Sequence, residues 1–204
     1  METIANTFYK FNMILSYYKL RKFKRGITIS IEPTFRCNQN CSYCINKNFG
    51  DKLPRDKDPM NYIQWLNYID KFPLKIGEIS IGGGEPTLYP RLSILINILL
   101  HKGFFVQLFT NLTHPEIINR IDKSIRFRVI ATYHEGQIPK DTFLNNLKIL
   151  KHPVQSQAFV DGIPVKRKIN FWDLNERKNL ISCLRISPDG TIFTNCYDLH
   201  KFYL

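Results

Sequence analysis

Ile27-Thr-Ile-Ser-Ile-Glu-Pro-Thr-Phe-Arg-Cys37-Asn-Gln-Asn-Cys41-Ser-Tyr-Cys44 runs a short extended segment straight into a loop that carries three of the five cysteines. Such a loop can close around one metal centre but does not complete it. A tetrahedral zinc site and a four-iron cluster both need four ligands, and the loop supplies three. No histidine is near: His101, His114, His134, His152 and His200 all lie far along the chain. The simplest account is a [4Fe-4S] cluster on Cys37, Cys41 and Cys44, with one iron open to an outside ligand. A zinc site completed by a remote His or Cys, or three buried thiols, also fit the spacing.

Outward from the loop, the strand is the first of a series. Ile76-Gly-Glu-Ile-Ser-Ile81, Phe104 to Phe109, Arg126 to Thr132 and Val154 to Val160 read as four more. Helical patterns separate them. Asp58-Pro59 suggests a helix start, with Tyr62, Trp65, Leu66 and Ile69 as its buried face. Arg91 to His101 is apolar except for Ser93, Asn97 and His101. Thr113 and Glu116, flanking Pro115, have the spacing of a capping box. Residues 140–151 place Phe143, Leu144, Leu147 and Leu150 on one side. Strand–helix alternation of this kind predicts an α/β fold with a parallel sheet and right-handed crossovers. In such folds the ligand site lies at the carboxyl ends of the strands. The cysteines, Gly82-Gly-Gly-Glu-Pro86, Asn111 and His134 all follow strand ends, so one sheet would bring them to one rim.

With 204 residues and 44% hydrophobic content, the chain suits one well-packed domain and not a disordered segment. No apolar run approaches the roughly 18 residues needed to span a membrane, and the N-terminus lacks the pattern of a secretory signal. An odd cysteine count with crowded thiols fits a reducing compartment, so the cytoplasm is expected. The net charge is +12. Six basic side chains (Lys10, Lys19, Arg21, Lys22, Lys24 and Arg25) stand against Glu2 alone in the first 25 residues. Charge of this sign attracts anionic partners, but no nucleic-acid module accompanies it, and basic residues also suit the last turn of a helix. Ile4, Phe8, Phe11, Leu15 and Tyr18 give that N-terminal helix one apolar face.

Gly82-Gly83-Gly84-Glu85-Pro86 lets backbone approach a ligand closely, and Glu85 adds a carboxylate able to accept from an ammonium. A phosphate cradle is disfavoured because the Walker Lys-Ser/Thr is missing. CxxxCxxC with an aromatic before its third cysteine, followed by GGEP, each after a strand, resembles the radical S-adenosylmethionine (SAM) superfamily over about residues 27–160. The resemblance implies a partial (β/α) barrel, shortened, and a [4Fe-4S] cluster on Cys37, Cys41 and Cys44 whose open iron SAM chelates. It implies that Gly82, Gly83, Gly84, Glu85 and Pro86 bind the methionine amino group. Tyr43 would pack near the adenine, while Asn111 and His134 are the remaining cofactor-binding positions. Thr110-Asn111 resembles a Thr-Asn pair of that family, although the usual following glycine is Leu112 here. The implied chemistry is reductive cleavage of SAM to a 5′-deoxyadenosyl radical that takes hydrogen from a substrate. A donor such as flavodoxin or ferredoxin would supply the electron.

Beyond Asp161 the alternation stops. Val165 to Trp172 reads as a further strand and Asn175 to Ile181 as a short helix. Ser187-Pro-Asp-Gly190 is a turn between two short extended runs, flanked by Cys183 and Cys196. That pattern resembles the opening of a SPASM or twitch extension, in truncated form, and makes Cys183 and Cys196 candidates for an auxiliary metal. The expected organisation is an N-terminal amphipathic helix (1–26), a radical SAM core (27–162) and a C-terminal appendage with a β-hairpin (163–204). The SPASM-like segment favours a peptide or protein side chain as substrate. The alternatives are a small-molecule or nucleotide-pathway enzyme, a glycyl-radical activase, or a non-catalytic protein that binds the cluster or SAM.

Overall fold

Alternating Ile27, Ile29 and Ile31 with Thr28 and Ser30 places apolar side chains on one face of an extended segment. In the computed structural model, which describes residues 26–44, 46, 59–160, 163–165, 183–190 and 192–193, this is strand β1 (Ile27–Thr34). The elements that follow are α1 (Tyr62–Asp70), β2 (Ile76–Gly83), α2 (Leu92–His101), β3 (Phe105–Thr110), α3 (Pro115–Ile118), β4 (Phe127–His134), α4 (Lys140–Ile149) and β5 (Val154–Val160). Three short strands, β6 (Ile163–Val165), β7 (Cys183–Ile186) and β8 (Ile192–Phe193), complete the described part. The predicted N-terminal helix, the segment 166–182 and Cys196 lie outside the described residues.

The described strands form one sheet in the order β6-β5-β4-β3-β2-β1-β7-β8, open at both edges. Strands β1 to β5 pair in parallel, as the alternation predicts. The hairpin at Ser187-Pro-Asp-Gly190 forms between β7 and β8 and is joined to this sheet. Strand β7 runs parallel to β1, with Thr28 opposite Cys183 and Ile31 opposite Ile186. Met60 N–H donates to the Pro188 carbonyl at 2.9 Å, and the Tyr89 hydroxyl donates to the Met60 carbonyl at 2.6 Å. The hairpin turn is thereby tied to the segment that follows the glycine run.

The two faces of the sheet differ. Ile29, Ile31, Ile79, Ile81, Val106, Leu108, Val129 and Ala131 are all at 0% exposure and pack with Trp65, Leu95, Ile96 and Leu99 from the helices. Fully burying each large aliphatic side chain contributes about 1.5–3 kcal/mol, so this layer is the main source of stability. The opposite face is polar. On it Gln107 donates to Glu78 at 2.6 Å and accepts from Arg128 at 2.6 Å, a buried row across β2, β3 and β4. Each member has a bonded neighbour, as burial of polar groups requires.

Three local expectations change. Helix α1 starts at Tyr62 with a complete capping box, Asn61 to Gln64, so Asp58-Pro59 precedes the helix and does not cap it. The Thr113–Glu116 box does not form: His114 is the cap residue, and the Thr113 hydroxyl donates instead to Asn111 Oδ1 at 2.8 Å. On α4, Phe143 and Leu150 are buried but Leu144 faces outward.

His152, between α4 and β5, is buried edge-on against Phe127 with ring centroids 5.0 Å apart. Burial holds its imidazole down at about 4; the carbonyls of Ile118 and Ile121 oppose this in part, without reaching hydrogen-bond geometry. The folded protein therefore keeps His152 neutral, while the unfolded chain takes up a proton near pH 6.5. Its contribution is present above pH 6.5 and is lost as the pH falls towards 4, on the order of 2–3 kcal/mol in all. Denaturant midpoints measured across that window should fall less steeply for His152→Leu than for the wild type, with His134 supplying part of the remaining slope.

Candidate active site at the carboxyl ends of the strands

The cysteine loop leaves β1 at the same edge as the glycine run leaves β2, and the two are laced together. Gly84 N–H donates to the Thr34 carbonyl at 2.9 Å, and Glu85 N–H donates to the Arg36 carbonyl at 2.8 Å. This contact requires glycine. A Cβ at Gly84 would run into the Arg36 carbonyl, and Gly83 takes φ +105°, a region that suits glycine. Gly82 is different: a Cβ there would meet nothing within 4 Å among the described residues. Two glycines serve the backbone junction, and the third meets no described side chain.

Glu85 turns its carboxylate inward. It is 1% exposed, and Oε1 accepts from Thr87 N–H at 3.1 Å, the Thr87 hydroxyl at 2.6 Å and the Thr110 hydroxyl at 2.7 Å. Its Oε2 accepts from Asn111 N–H at 2.7 Å. The carboxylate thus fastens the glycine run to the end of β3 and caps the single 3-10 turn Pro86–Leu88. Its four partners in this structure are donors of its own chain, from Thr87, Thr110 and Asn111.

Asn111 is also turned inward, towards the cysteine loop. Its Nδ2 lies 2.8 Å from Asn38 Oδ1 and 4.0 Å from Cys37 Sγ. The loop is held on its other side by Asn40 N–H, which donates to Gln137 Oε1 at 2.7 Å. Leu112, where the family resemblance leads one to expect glycine, still adopts φ +61° and is fully buried. Its left-handed backbone costs about 1–2 kcal/mol, which the buried side chain offsets.

Tyr43 and His134 meet. The Tyr43 hydroxyl is 2.9 Å from His134 Nδ1, with ring centroids 5.9 Å apart. Burial, the charge of Cys41, a hydrogen bond with Cys41 and the charges of Cys44 and Glu135 push the phenol up to about 12. Burial pushes the His134 imidazole down. At neutral pH both groups are therefore uncharged, and the bond between them joins a phenol to a neutral imidazole.

None of Cys37, Cys41 and Cys44 is in a disulfide. The Cys37 thiol is pushed up by partial desolvation, though it still reaches solvent; Gln39 N–H, donating at 3.4 Å, opposes this, and the charges of Glu85, Cys44 and Cys41 add to it. Among the described residues no three His, Cys, Asp or Glu side chains converge on a position for one ion. A cavity of about 670 Å³ lined by Lys75, Lys102, Gly103 and Phe104 lies at the amino ends of β2 and β3, far from this rim. The convergence of loops at the carboxyl ends, not cavity size, marks the candidate site. No described helix is long and apolar enough to cross a membrane.

The sequence pattern of the radical SAM superfamily matches residues 31–173. The chain belongs to the radical SAM superfamily. With membership comes a [4Fe-4S] cluster and SAM as the cofactors of the family. Two proteins of Methanocaldococcus jannaschii, both named as glycyl-radical enzyme activating enzymes, are 37% identical over 118 residues and 38% identical over 91. These matches cover 57% and 44% of this chain but 45% and 36% of the relatives, so the chain spans less than half the length of either. The solved structure of BtrN in complex with AdoMet and 2-DOIA shares the fold, with a TM-score of 0.58 at 18% identity over 87% of this chain and 76% of that one.

Several site residues escaped the sequence reading. Asn38, Thr87, Thr113 as a partner of Asn111, and the polar row through Gln107 are all ordinary polar residues in sequence. The row alone left a trace, since Glu78 and Ser80, or Gln155 and Gln157, recur at the two-residue period of a strand face.

Proposed function

We propose that this chain is a radical SAM enzyme in which Cys37, Cys41 and Cys44 hold the cluster and the Gly82–Pro86 run holds SAM, acting on a peptide or protein substrate. The observation that carries the proposal is the double lacing of the cysteine loop to the glycine run and to β3 at one rim of the sheet. The residues suit the group. Three thiols spread along a loop do not converge on one ion, but a four-iron cluster takes each thiolate on a separate iron. The buried side-chain amide of Gln39, between the first two cysteines, has no hydrogen-bond partner among the described residues and is available to a bound group. Among the described residues nothing lies within 4 Å of a Cβ at Gly82, which leaves that face to a ligand.

When bound, the cluster and SAM supply reductive cleavage of SAM and hydrogen-atom abstraction from the substrate. The chain's own contribution is placement. Gly83 and Gly84 hold the cysteine loop against β2, and Glu85 holds the glycine run against β3. The Tyr43–His134 bond anchors the loop's third corner to β4, with both groups neutral at pH 7. No side chain need act as acid or base to make the radical. Measuring 5′-deoxyadenosine from anaerobically reconstituted protein with SAM and reductant tests the proposal, and a loaded cluster with bound SAM but no cleavage would refute it. The names of the M. jannaschii relatives favour a more specific reading, activation of a glycyl-radical enzyme, which is itself a protein substrate.

The glycines separate two roles. Gly84→Ala should lower the thermal midpoint, because the Arg36 carbonyl has to move. Gly82→Ala should leave the midpoint unchanged and weaken SAM binding about tenfold or more, the effect of about 1.4 kcal/mol of crowding. Equilibrium dialysis with SAM checks this; unchanged affinity in Gly82→Ala would remove SAM from that face.

A further inference from the structure

Asn38, Asn111 and Thr113 close a ring of hydrogen bonds with one direction. The Thr113 hydroxyl donates to Asn111 Oδ1 at 2.8 Å, Asn111 Nδ2 donates to Asn38 Oδ1 at 2.8 Å, and Asn38 Nδ2 donates back to the Thr113 hydroxyl at 2.8 Å. The orientation of the Asn111 amide is not arbitrary. Thr113 N–H, which can only donate, points at Oδ1 from 3.1 Å, so the oxygen must face Thr113 and the nitrogen must face the cysteine loop. One Nδ2 hydrogen goes to Asn38. The other is left on the side of Cys37 Sγ, 4.0 Å away. The backbone of Asn111 is held at the same time by Glu85 Oε2 at 2.7 Å, and the residue is 5% exposed. Rings of this kind strengthen each member, so the amide is held in one pose before any cofactor arrives.

We infer that Asn111 is a positioning residue for the Cys37 sulfur, its second amide hydrogen set by Glu85, Thr113 and Asn38 to stabilise the reduced cluster, in place of the direct contact with SAM that the family resemblance implies. The inference rests on the assignment of Cys37, Cys41 and Cys44 as cluster ligands made above. Hydrogen bonds to ligating sulfur draw off negative charge and raise a cluster's potential, because the reduced form carries the extra electron. Gln39 N–H already donates to this sulfur at 3.4 Å, so Asn111 would be its second N–H donor. The backbone N–H of the same residue donates to Glu85 Oε2, so Asn111 links the cysteine loop to the glycine run.

The test uses the anaerobically reconstituted chain, without SAM, titrated with dithionite and followed by electron paramagnetic resonance. Asn111→Asp keeps the shape and the Thr113 bond but replaces the donor beside Cys37 by an acceptor. It should still bind four irons per chain, with a midpoint potential clearly more negative than wild type. Thr113→Val, which breaks the ring and leaves Asn111 in place, should shift the potential in the same direction by less. This second variant decides the question if Asn111→Asp fails to fold. Wild-type potential in a loaded Asn111→Asp, or in Thr113→Val should that alone fold, overturns the inference and leaves the ligand assignment standing. Wild-type protein that takes up no iron overturns the ligand assignment and this inference with it.

Discussion

Alanine at Cys37, Cys41 or Cys44 is expected to abolish the cluster, its visible absorbance and SAM cleavage together. Each thiolate is proposed to hold a different iron, so the two that remain cannot stand in for one that is lost. Residues that merely orient a metal ligand typically cost 10–100-fold in affinity or activity when removed, so loss of a ligand itself should cost at least ~100-fold. The substitutions at Cys37, which is exposed, and Cys44, which is partly buried, should do little to the fold, whereas Cys41 is buried and its loss should also cost some stability. Iron counts, absorbance and 5′-deoxyadenosine yield on the three variants make the check. If all three kept the wild-type spectrum, the ligands would have to be sought elsewhere.

Glu85→Ala should destabilise the protein by about 3–5 kcal/mol, the usual effect of removing one partner from a buried charged network. The loss strands the hydroxyls of Thr87 and Thr110 and the N–H groups of Thr87 and Asn111, all within 3.1 Å of the carboxylate. For a chain of this length the thermal midpoint should fall by roughly 10 °C or more. Glu85→Gln keeps the shape but turns an amide nitrogen towards a donor on one side, so it should cost a smaller amount, about 1–3 kcal/mol. A glutamate that waits for the ammonium of SAM behaves otherwise: its removal would weaken SAM binding and leave the apo protein as stable as wild type. Thermal unfolding of the apo variants therefore distinguishes a latch from a ligand, and the geometry favours the latch.

Much of the architecture can be read from local pattern because it is locally encoded. Strands β1 to β5 follow from runs such as Ile76 to Ile81 and Val154 to Val160, whose bounds the structure extends by at most two or three residues. Helix starts were harder, since the deciding side chain can be claimed from afar. Thr113 has the right spacing to cap α3, yet Asn111 and Asn38 take its hydroxyl. Asn61 and Gln64 carry an equally legible box, and there no competitor intervenes.

The sequence by itself determined the parallel α/β class, the cysteine loop and glycine run at successive strand ends, and so the family. These depend on strand and helix periods and on spacings within a few residues, which each segment carries alone. Only the tertiary structure decided what the site residues face. Asn111 meets Asn38 across 73 positions, Glu85 meets Thr110 across 25, and β7 finds β1 rather than an edge of its own. Those partners are set by sheet register and by close backbone contact at Gly84, which no local pattern encodes. The physical consequence is specific: the Glu85 carboxylate is buried among four donors of its own chain, and the Asn111 side-chain amide faces Asn38 and the Cys37 sulfur.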